Sequence, residues 1–214
     1  DSFASGDTGD LDLRASEMLL NSRGSGLSTS INTTSWPGGG RAGNVRVDVT
    51  GTLEILNQPG GSLTGLGSRG IGRKTSGDVE VNATHIRIDG HGVTGSFLGQ
   101  PKTEQTGIIS VSASANPEAG EPGAVTIRAQ TLEMNGYSII SGATFGVGKA
   151  GNVDVTADRI QLDNSSIVSS TGEGSDGDGG SVLVKSRQVE IMAGGGIGAR
   201  TAGRGNAGSV DVFA

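Results

Sequence analysis

A cassette that recurs seven times limits what this chain can fold into more than any other feature of its sequence. Each copy starts with glycine, continues with hydrophobic residues that alternate with polar ones, and ends on a small residue. The copies are Gly9 with Leu11, Leu13 and Ala15; Gly43 with Val45, Val47 and Val49; Gly77 with Val79, Val81 and Ala83; Gly123 with Val125, Ile127 and Ala129; Gly151 with Val153, Val155 and Ala157; Gly180 with Val182, Val184 and Ser186; and Gly208 with Val210, Val212 and Ala214. Their starts lie 34, 34, 46, 28, 29 and 28 residues apart. Self-similarity at such periods predicts a solenoid or a repeat array.

The composition suits a solenoid better than a single globular core. The 214 residues include 40 glycines, one Trp, one Tyr and four Phe. A thin core of stacked aliphatic side chains tolerates this shortage of aromatic residues. The net charge is −6, with 16 basic and 22 acidic residues and no basic run, which argues against nucleic-acid binding. The chain has no cysteine, and no apolar stretch approaches the ~20 residues of a membrane helix. We therefore expect neither a disulfide framework nor a membrane span.

The repeat 151–179 shows the path that the chain is expected to take. Residues 153–157 alternate between apolar and polar, which is the period-2 pattern of a half-buried strand. The dipeptide 158–159 makes a corner, and 160–162 resume the alternation as a second strand. A third short strand follows at 167–171, with a smaller inward face. The return segment then leads to the next cassette.

Three short strands per coil, stacked in register, predict an all-β, right-handed parallel β-helix of about six coils. Its outward positions should carry Asp, Arg, Thr, Glu and Asn. The copy with Val49 and Leu53 has one extra residue at its first corner. Residues 14–20 have a helix-friendly composition, but their alignment with the other copies predicts a strand. Third strands are predicted to begin near Leu27, Leu63, Ile108, Ile139, Ile167 and Ile197.

We expect one β-helix segment over residues 1–214, with coils starting near 9, 43, 77, 123, 151, 180 and 208. The chain starts without an initiator Met or a targeting peptide and stops as the seventh cassette begins, which predicts a fragment of a longer repeat protein. Asn and Asp follow the cassette glycine in several copies, and their recurrence predicts a structural stack at a turn.

Length variation is concentrated in an insertion at 90–106 and in the return loop 32–41. Insertions in a solenoid become loops off the shaft, often on a recognition face. The alternative is that these loops only vary in length, or that Phe97 and Leu98 cover the shaft. The candidate recognition residues are Trp36, His91, Phe97 and Lys102.

The repeat pattern resembles that of filamentous-haemagglutinin-type proteins. The resemblance lies in residues 151–162, which read GNVDVTADRIQL, and in 141–146, which read SGATFG and lead into the next cassette. It implies a right-handed β-helix, export through a two-partner route with an outer-membrane transporter, and an adhesive or surface-coat role in Gram-negative bacteria, cyanobacteria among them. The secretion-domain hallmarks of the family do not match this chain.

Two motifs in this chain imitate binding sites. G-x-G-x-x-G occurs at 146–151 and 203–208, but both matches lead into a β cassette and not into a helix, so we interpret them as corners. The acidic stretch 173–180 contains Asp176 and Asp178, which are weak calcium candidates because EF-hand spacing is absent. A solvated turn is the favoured interpretation, and we expect no metal and no cofactor.

A polysaccharide-degrading enzyme is the main alternative, because many parallel β-helices degrade polysaccharides. The catalytic site of such an enzyme needs convergent carboxylates on one outer face. The candidate catalytic residues of this chain are scattered singly through the repeats, so we expect no catalytic residues and no enzymatic activity. These candidates are Asp154, Asp158, Arg159, Asp163, His85, Arg87 and Asp89.

The expected function is that of a structural or adhesive shaft of a secreted, cell-surface exoprotein. Its expected partners are the outer-membrane transporter during export and a host or matrix surface, with glycans as a candidate ligand. End-to-end self-association through open coil ends is also expected. The second alternative is a glycan-binding shaft that uses the loop at 90–106.

Overall fold

The computed structural model describes residues 1–3, 5–59, 64–71, 75–91, 95–97, 100–102, 106–113 and 120–214, with the backbone alone for 95–97 and 100–102. Across these ranges the chain forms strands and turns and no helix, and residues 14–15 and 18–20 lie in two strands with 16–17 between them. The strands are β1 (Leu11–Ala15), β2 (Met18–Asn21), β3 (Thr29–Ser35), β4 (Val45–Leu56), β5 (Thr64–Gly70), β6 (Val79–Asp89), β7 (Gly95–Phe97), β8 (Gln100–Lys102), β9 (Gly107–Ser112), β10 (Val125–Asn135), β11 (Ile139–Thr144), β12 (Val153–Asp163), β13 (Ser166–Thr171), β14 (Val182–Lys185), β15 (Gln188–Met192), β16 (Gly196–Thr201) and β17 (Val210–Phe213).

Nearly all strands belong to two parallel sheets. The larger sheet has the order β1-β4-β6-β10-β12-β14-β17, with β2 beside β4 and β15 beside β12. The smaller sheet has the order β16-β13-β11-β9-β5-β3, and β7 and β8 form a separate antiparallel pair. Each repeat therefore contributes to one sheet, crosses to the other and returns. This all-β architecture of parallel sheets fits a parallel β-helix or solenoid.

Like positions of successive repeats lie beside each other in both sheets. Val125 pairs with Val153, and Val153 pairs with Val182, as the cassette alignment predicts. These side chains are almost fully buried. Because each aliphatic residue packs against its own counterpart one strand away, the core consists of continuous columns. The prediction of stacked columns is confirmed.

The prediction of three separate strands per repeat is wrong for four repeats. In the repeats that start at Gly43, Gly77, Gly123 and Gly151, the first two predicted strands form one strand: β4, β6, β10 or β12. The corner dipeptide puts two successive residues outward, as at Asp158 and Arg159, and so changes which alternate positions face the core. The pairing with the next strand continues through that point, because Thr131 still pairs with Arg159.

Two further expectations about register are resolved in the structure. The extra residue after Val49 is a register irregularity between β4 and β6, located between Val49 and Thr52. The third strands begin at Thr29 and Thr64, with Ile31 and Leu66 on the core columns. The exposed Leu27 therefore lies before its strand, and Leu63 lies outside the described residues.

The cassette glycines stack directly on one another. A Cβ added at Gly77 would lie 2.3 Å from the carbonyl oxygen of Gly43, and one added at Gly151 would lie 2.3 Å from that of Gly123. No heavy-atom contact between a Cβ and an oxygen is that short. Glycine is required here because the backbone of the preceding repeat occupies the space of a side chain.

Replacing a stacked cassette glycine should destabilise the fold. We expect Gly77→Ala to lower the free energy of unfolding by about 1–3 kcal/mol, since the methyl group must push two backbones apart. Gly9→Ala is the matched control, because nothing lies within 4 Å of a Cβ added there. Urea unfolding followed by circular dichroism measures both variants. Equal losses for the two would contradict the stacking explanation.

A buried hydroxyl in the smaller sheet connects successive cassettes. Ser169 Oγ donates to the carbonyl of Gly151 at 2.8 Å and accepts from the amide of Gly180 at 3.0 Å. Ser68 makes the same two bonds, to Gly43 at 2.9 Å and from Gly77 at 2.7 Å. Both serines are fully buried. These bonds satisfy backbone groups where the chain passes from the smaller sheet to the larger one.

Removing such a hydroxyl should be costly. We expect Ser169→Ala to lower the free energy of unfolding by about 1–3 kcal/mol, because a buried amide and a buried carbonyl each lose a partner. Ser170→Ala is the matched control, because Ser170 is next to Ser169 on the same strand but its side chain lies on the outer face. Thermal unfolding of the two variants decides the matter, and a Ser170 effect as large as that of Ser169 would refute the assignment.

The Asn and Asp residues after the cassette glycine form a hydrogen-bonded stack. Asp10 Oδ1 accepts from the amide of Asn44 at 2.7 Å, and Asn44 Oδ1 accepts from the amide of Asp78 at 2.9 Å. Asp78 Oδ1 accepts in turn from the amide of Ala124 at 2.8 Å. Each side chain thus caps the backbone of the next repeat, as the recurrence predicted.

Candidate functional site

The outer faces of the two sheets differ in chemistry. The larger sheet carries charged side chains at many outward positions, as expected. The six strands of the smaller sheet contain no acidic residue and no lysine, and their charged residues are Arg69 and Arg200. Most other outward positions there hold small or aliphatic residues, and some of them, such as Val111, Ser141 and Val168, are buried. The expectation that all outward positions are polar is therefore wrong for the smaller sheet. Those outward small and aliphatic residues include Gly67, Ile109, Val111, Ser141, Ala143 and Val168.

Charges on the larger sheet pair with one another across repeats. Glu80 accepts from Arg46 at 3.4 Å and from Arg128 at 2.9 Å, and so bridges three successive strands. Arg87 lies 3.5 Å from Glu54, and Arg159 lies 3.5 Å from Glu190. These pairs are solvent-exposed and contribute little stability individually. They link charged side chains of neighbouring repeats on this face.

Two donors hold the carboxylate of Asp48 in its ionised form. Arg46 Nε donates to Asp48 at 3.0 Å, and Asn82 Nδ2 donates to it at 2.7 Å from the next repeat. The hydrogen bond from Arg46, followed by that from Asn82, keeps the pKa of Asp48 below its ordinary value.

The smaller sheet ends on an apolar ridge, which we define as Phe3, Trp36, Ile71, Ala113 and Phe145. From Trp36 onward, each member of the ridge directly follows the last residue of a strand of the smaller sheet. Its backbone amide donates to the carbonyl of the residue that comes just before the ridge member of the preceding repeat, as Trp36 does to Ser2 and Ile71 to Ser35. The rings of Phe3 and Trp36 stack with centroids 5.6 Å apart and planes 8° apart. Phe3 is 69% exposed and Trp36 is 38% exposed.

The candidate recognition residues have different surroundings. Trp36 lies in the apolar ridge. His91 follows β6 with a left-handed backbone (φ 49°), and its Nδ1 lies 3.0 Å from Asp89 Oδ1. Phe97 lies in β7 and Lys102 in β8, but their side chains lie outside the described residues. A recognition role for the loop 90–106 stays a prediction.

Asp176 and Asp178 contact the following repeat. Asp176 lies 3.3 Å from Arg204 Nε, and Asp178 Oδ1 accepts from the amide of Asn206 at 2.7 Å. Within the described ranges, no group of three or more His, Asp or Glu residues is placed to hold a metal ion. The two aspartates act here as contacts between repeats.

The candidate catalytic residues form two separate sets. Arg87 and Asp89 lie 3.7 Å apart on β6, and His85 Nδ1 lies 2.8 Å from Thr131 Oγ1. Asp154 and Asp163 lie near opposite ends of β12, which β10 separates from β6. Asp158 lies 3.6 Å from Arg187, and Arg159 is paired with Glu190. Asp89 and Asp163 lie at the same level of the sheet, because both pair with Asn135, and β10 lies between them.

Both G-x-G-x-x-G segments are corners, as predicted. The first leads into β12 at Val153 and the second into β17 at Val210. A Cβ added at Gly205 would lie 2.1 Å from the carbonyl oxygen of Gly177 in the preceding repeat. These glycines therefore allow close backbone stacking.

The sequence analysis singled out Trp36 but not the other members of the apolar ridge. Ridge members occur at a fixed spacing: Trp36 lies five residues after Ile31, and Phe145 lies five residues after Ile140. This spacing can be recognised only once Ile31 and Ile140 are known to share a core column.

Comparisons with protein-family models, curated proteins and solved structures found no match. In the described part of the chain, no helix is long and apolar enough to cross a membrane.

The bonds around Asp48 predict a pH-dependent contribution to stability. Because the folded state lowers the pKa, the stabilisation is complete above the unfolded value of about 3.9 and is lost as the pH falls through the folded value. Asp48→Asn should therefore be less stable than wild type at pH 7, and this difference should shrink below about pH 4.

Urea unfolding at a series of pH values measures this difference. Asp154→Asn is the control, because Asp154 is also an outward carboxylate on the larger sheet and forms no ion pair among the described residues. A difference between wild type and Asp48→Asn that does not vary with pH would contradict the prediction.

Proposed function

We propose that this chain is a segment of the structural and adhesive shaft of a secreted, cell-surface exoprotein. The observation that carries the proposal is the unbroken parallel pairing from β1 to β17 in the larger sheet. Pairing of this kind extends in one direction, so each added repeat lengthens the body without changing its cross-section. Such a body serves to hold a surface at a distance.

The proposed architecture is a right-handed parallel β-helix of about six coils, which gives a rod of about 30 Å at one strand spacing per coil. Strand twist supports this hand. Residues 1–214 form one segment of it, with coils that start at the cassette glycines. The repeat pattern supports membership of the filamentous-haemagglutinin-type group of bacterial exoproteins.

The outer faces support an adhesive role. The larger sheet offers a charged face whose ion pairs link successive repeats. The strands of the smaller sheet contain no acidic residue, and Phe3 and Trp36 of the apolar ridge are exposed beyond their ends. Exposed apolar side chains on a rigid body are typical of an interaction surface. The proposed partners are a host or matrix surface and, during export, an outer-membrane transporter.

Self-association is part of the same proposal. Val210, Val212 and Phe213 of β17 are 41%, 46% and 60% exposed. Val210 and Val212 continue the core columns, since they pair with Val182 and Val184. An uncovered strand edge with apolar side chains favours the addition of another strand.

A modular shaft should accept additional repeats. We expect a chain in which residues 123–179 are duplicated after residue 179 to fold with unchanged thermal stability. Its maximum dimension in solution scattering should grow by about 10 Å, which is two strand spacings. The matched control inserts the same length of chain, copied from 128–184, at the same place. That insertion breaks the register and should prevent folding.

The adhesive role is tested with the same proteins on beads. Beads that carry the wild-type or the lengthened chain should be retained under flow on surfaces coated with matrix polysaccharide or host glycoprotein. Beads that carry an unrelated protein of equal charge should not. Equal retention of all beads would refute adhesion. Release of soluble product from the polysaccharide, lost in Asp163→Ala, would instead establish the enzyme alternative.

A further inference from the structure

Several residues of the smaller sheet face outward and are nevertheless buried. The core columns include Ile108, Ile140 and Ile167, so the alternate residues of β9, β11 and β13 lie on the outer face of the sheet. Four of these outward residues are at most 8% exposed, and we call them the covered patch. They are Val111, Ile139, Ser141 and Val168.

Neighbouring side chains of the same sheet do not account for this burial. Val168 pairs in register with Ser141 on one side and with Gly198 on the other, and both are smaller than valine. Side chains stand roughly perpendicular to a sheet, so two smaller neighbours leave the top of a larger side chain open. Val168 is nevertheless only 5% exposed. This exposure is that of a single chain, so the atoms that lie over the patch belong to the same chain.

The burial is concentrated in the middle of the smaller sheet. Ser30 on the outer face of β3, in the first repeat, is exposed, and so is Arg200 on β16. Between them, the Nε atom of Arg69 is buried although this residue lies on the outer face of β5. The cover therefore lies over β5, β9, β11 and β13.

The longest insertion of the chain joins this part of the sheet. The 17 residues 90–106 separate β6 from β9, whereas three residues separate β10 from β11 in the next repeat. The insertion ends at Thr106, directly before the first residue of β9. The segments 60–63, 72–74 and 114–119, which lie outside the described residues, have four, three and six residues. Length and position thus favour the insertion as the cover.

The insertion also has the required reach. β7 and β8 pair antiparallel, with Phe97 opposite Gln100, so the insertion contains a hairpin that turns between these two residues. An extended arm from His91 to Phe97 spans about 23 Å, and the strand β9 spans about 20 Å. Two paired strands with their side chains are about as wide as the two strand spacings from β9 to β13. The hairpin can therefore cover the patch in both directions.

We propose that the insertion 90–106 packs on the outer face of the smaller sheet and covers the patch, with Phe97 and Leu98 as its apolar contacts. An uncovered patch of aliphatic side chains on a sheet attracts other apolar surfaces. The insertion therefore keeps the middle of the shaft from associating side by side with other copies. This role goes beyond the proposed function, because it assigns the insertion to the integrity of the shaft.

The chain has no cysteine, so a single introduced thiol reports on one position. We expect Ser141→Cys and Val168→Cys to react with a soluble aromatic disulfide about tenfold more slowly than Ser30→Cys, because covered thiols react only when the cover opens. Deleting residues 92–105 should raise the two slow rates to nearly that of Ser30→Cys and leave the latter unchanged. The deletion keeps Gly90 and His91 before Thr106, a corner as long as residues 136–138.

Phe97→Asp keeps the test valid if the shortened chain does not fold. It should raise the rates of the two covered thiols several-fold, because a carboxylate is unfavourable against an apolar patch. Ser96→Asp is the matched control and should leave these rates unchanged, since neighbouring residues of a strand lie on opposite faces. Circular dichroism and thermal midpoints verify that each variant folds. In gel filtration the shortened chain should associate as its concentration rises, and the wild type much less.

Four results would overturn the inference. The first is rapid labelling of Ser141→Cys and Val168→Cys in the chain with the intact insertion. The second is protection that survives both the deletion and Phe97→Asp. The third is protection that increases with protein concentration, because a second copy of the chain would then be the cover. The fourth is a shortened chain that folds and associates no more than the wild type.

Discussion

Parallel pairing between like positions of successive repeats holds this structure together. It requires every residue of the core to accept a copy of itself one strand away, about 4.8 Å along the axis. Aliphatic residues meet this condition through side-chain contacts, as in the column of Val125, Val153 and Val182. Glycine meets it by having no side chain where two backbones touch, as at Gly77. The periodicity of the sequence is the direct consequence of this condition.

The same pairing leaves each sheet with an outer face that is free to vary. On the larger sheet the variation is electrostatic, because opposite charges such as Glu80 and Arg128 meet across a strand gap. On the smaller sheet the outward residues are small, aliphatic or neutral apart from Arg69 and Arg200, and Phe3 and Trp36 stack beyond its strand ends. A repeated core thus supports two surfaces of different chemistry.

Prediction from the sequence succeeded where an interaction repeats and failed where it depends on local geometry. The columns, the extra residue after Val49 and the Asn and Asp stack were all recognisable, because several copies showed the same residue type. The third strand was harder to place, because Leu27 looks like an inward residue while Ile31 holds that position. The double hydrogen bond of Ser169 was hidden, since a serine in a strand reads as an ordinary polar residue.

Repetition of the cassette was sufficient to establish that the chain is all-β, that its repeats stack in parallel and which aliphatic residues meet, because one-dimensional stacking converts sequence periodicity directly into contacts. The tertiary structure alone decided that the first two strands of four repeats are continuous, that buried hydroxyls connect the cassettes, and that Phe3 and Trp36 meet. These features depend on how the corners bend and on the register between segments that are separated in sequence. Such distances and angles arise only when the repeats close around a shared core.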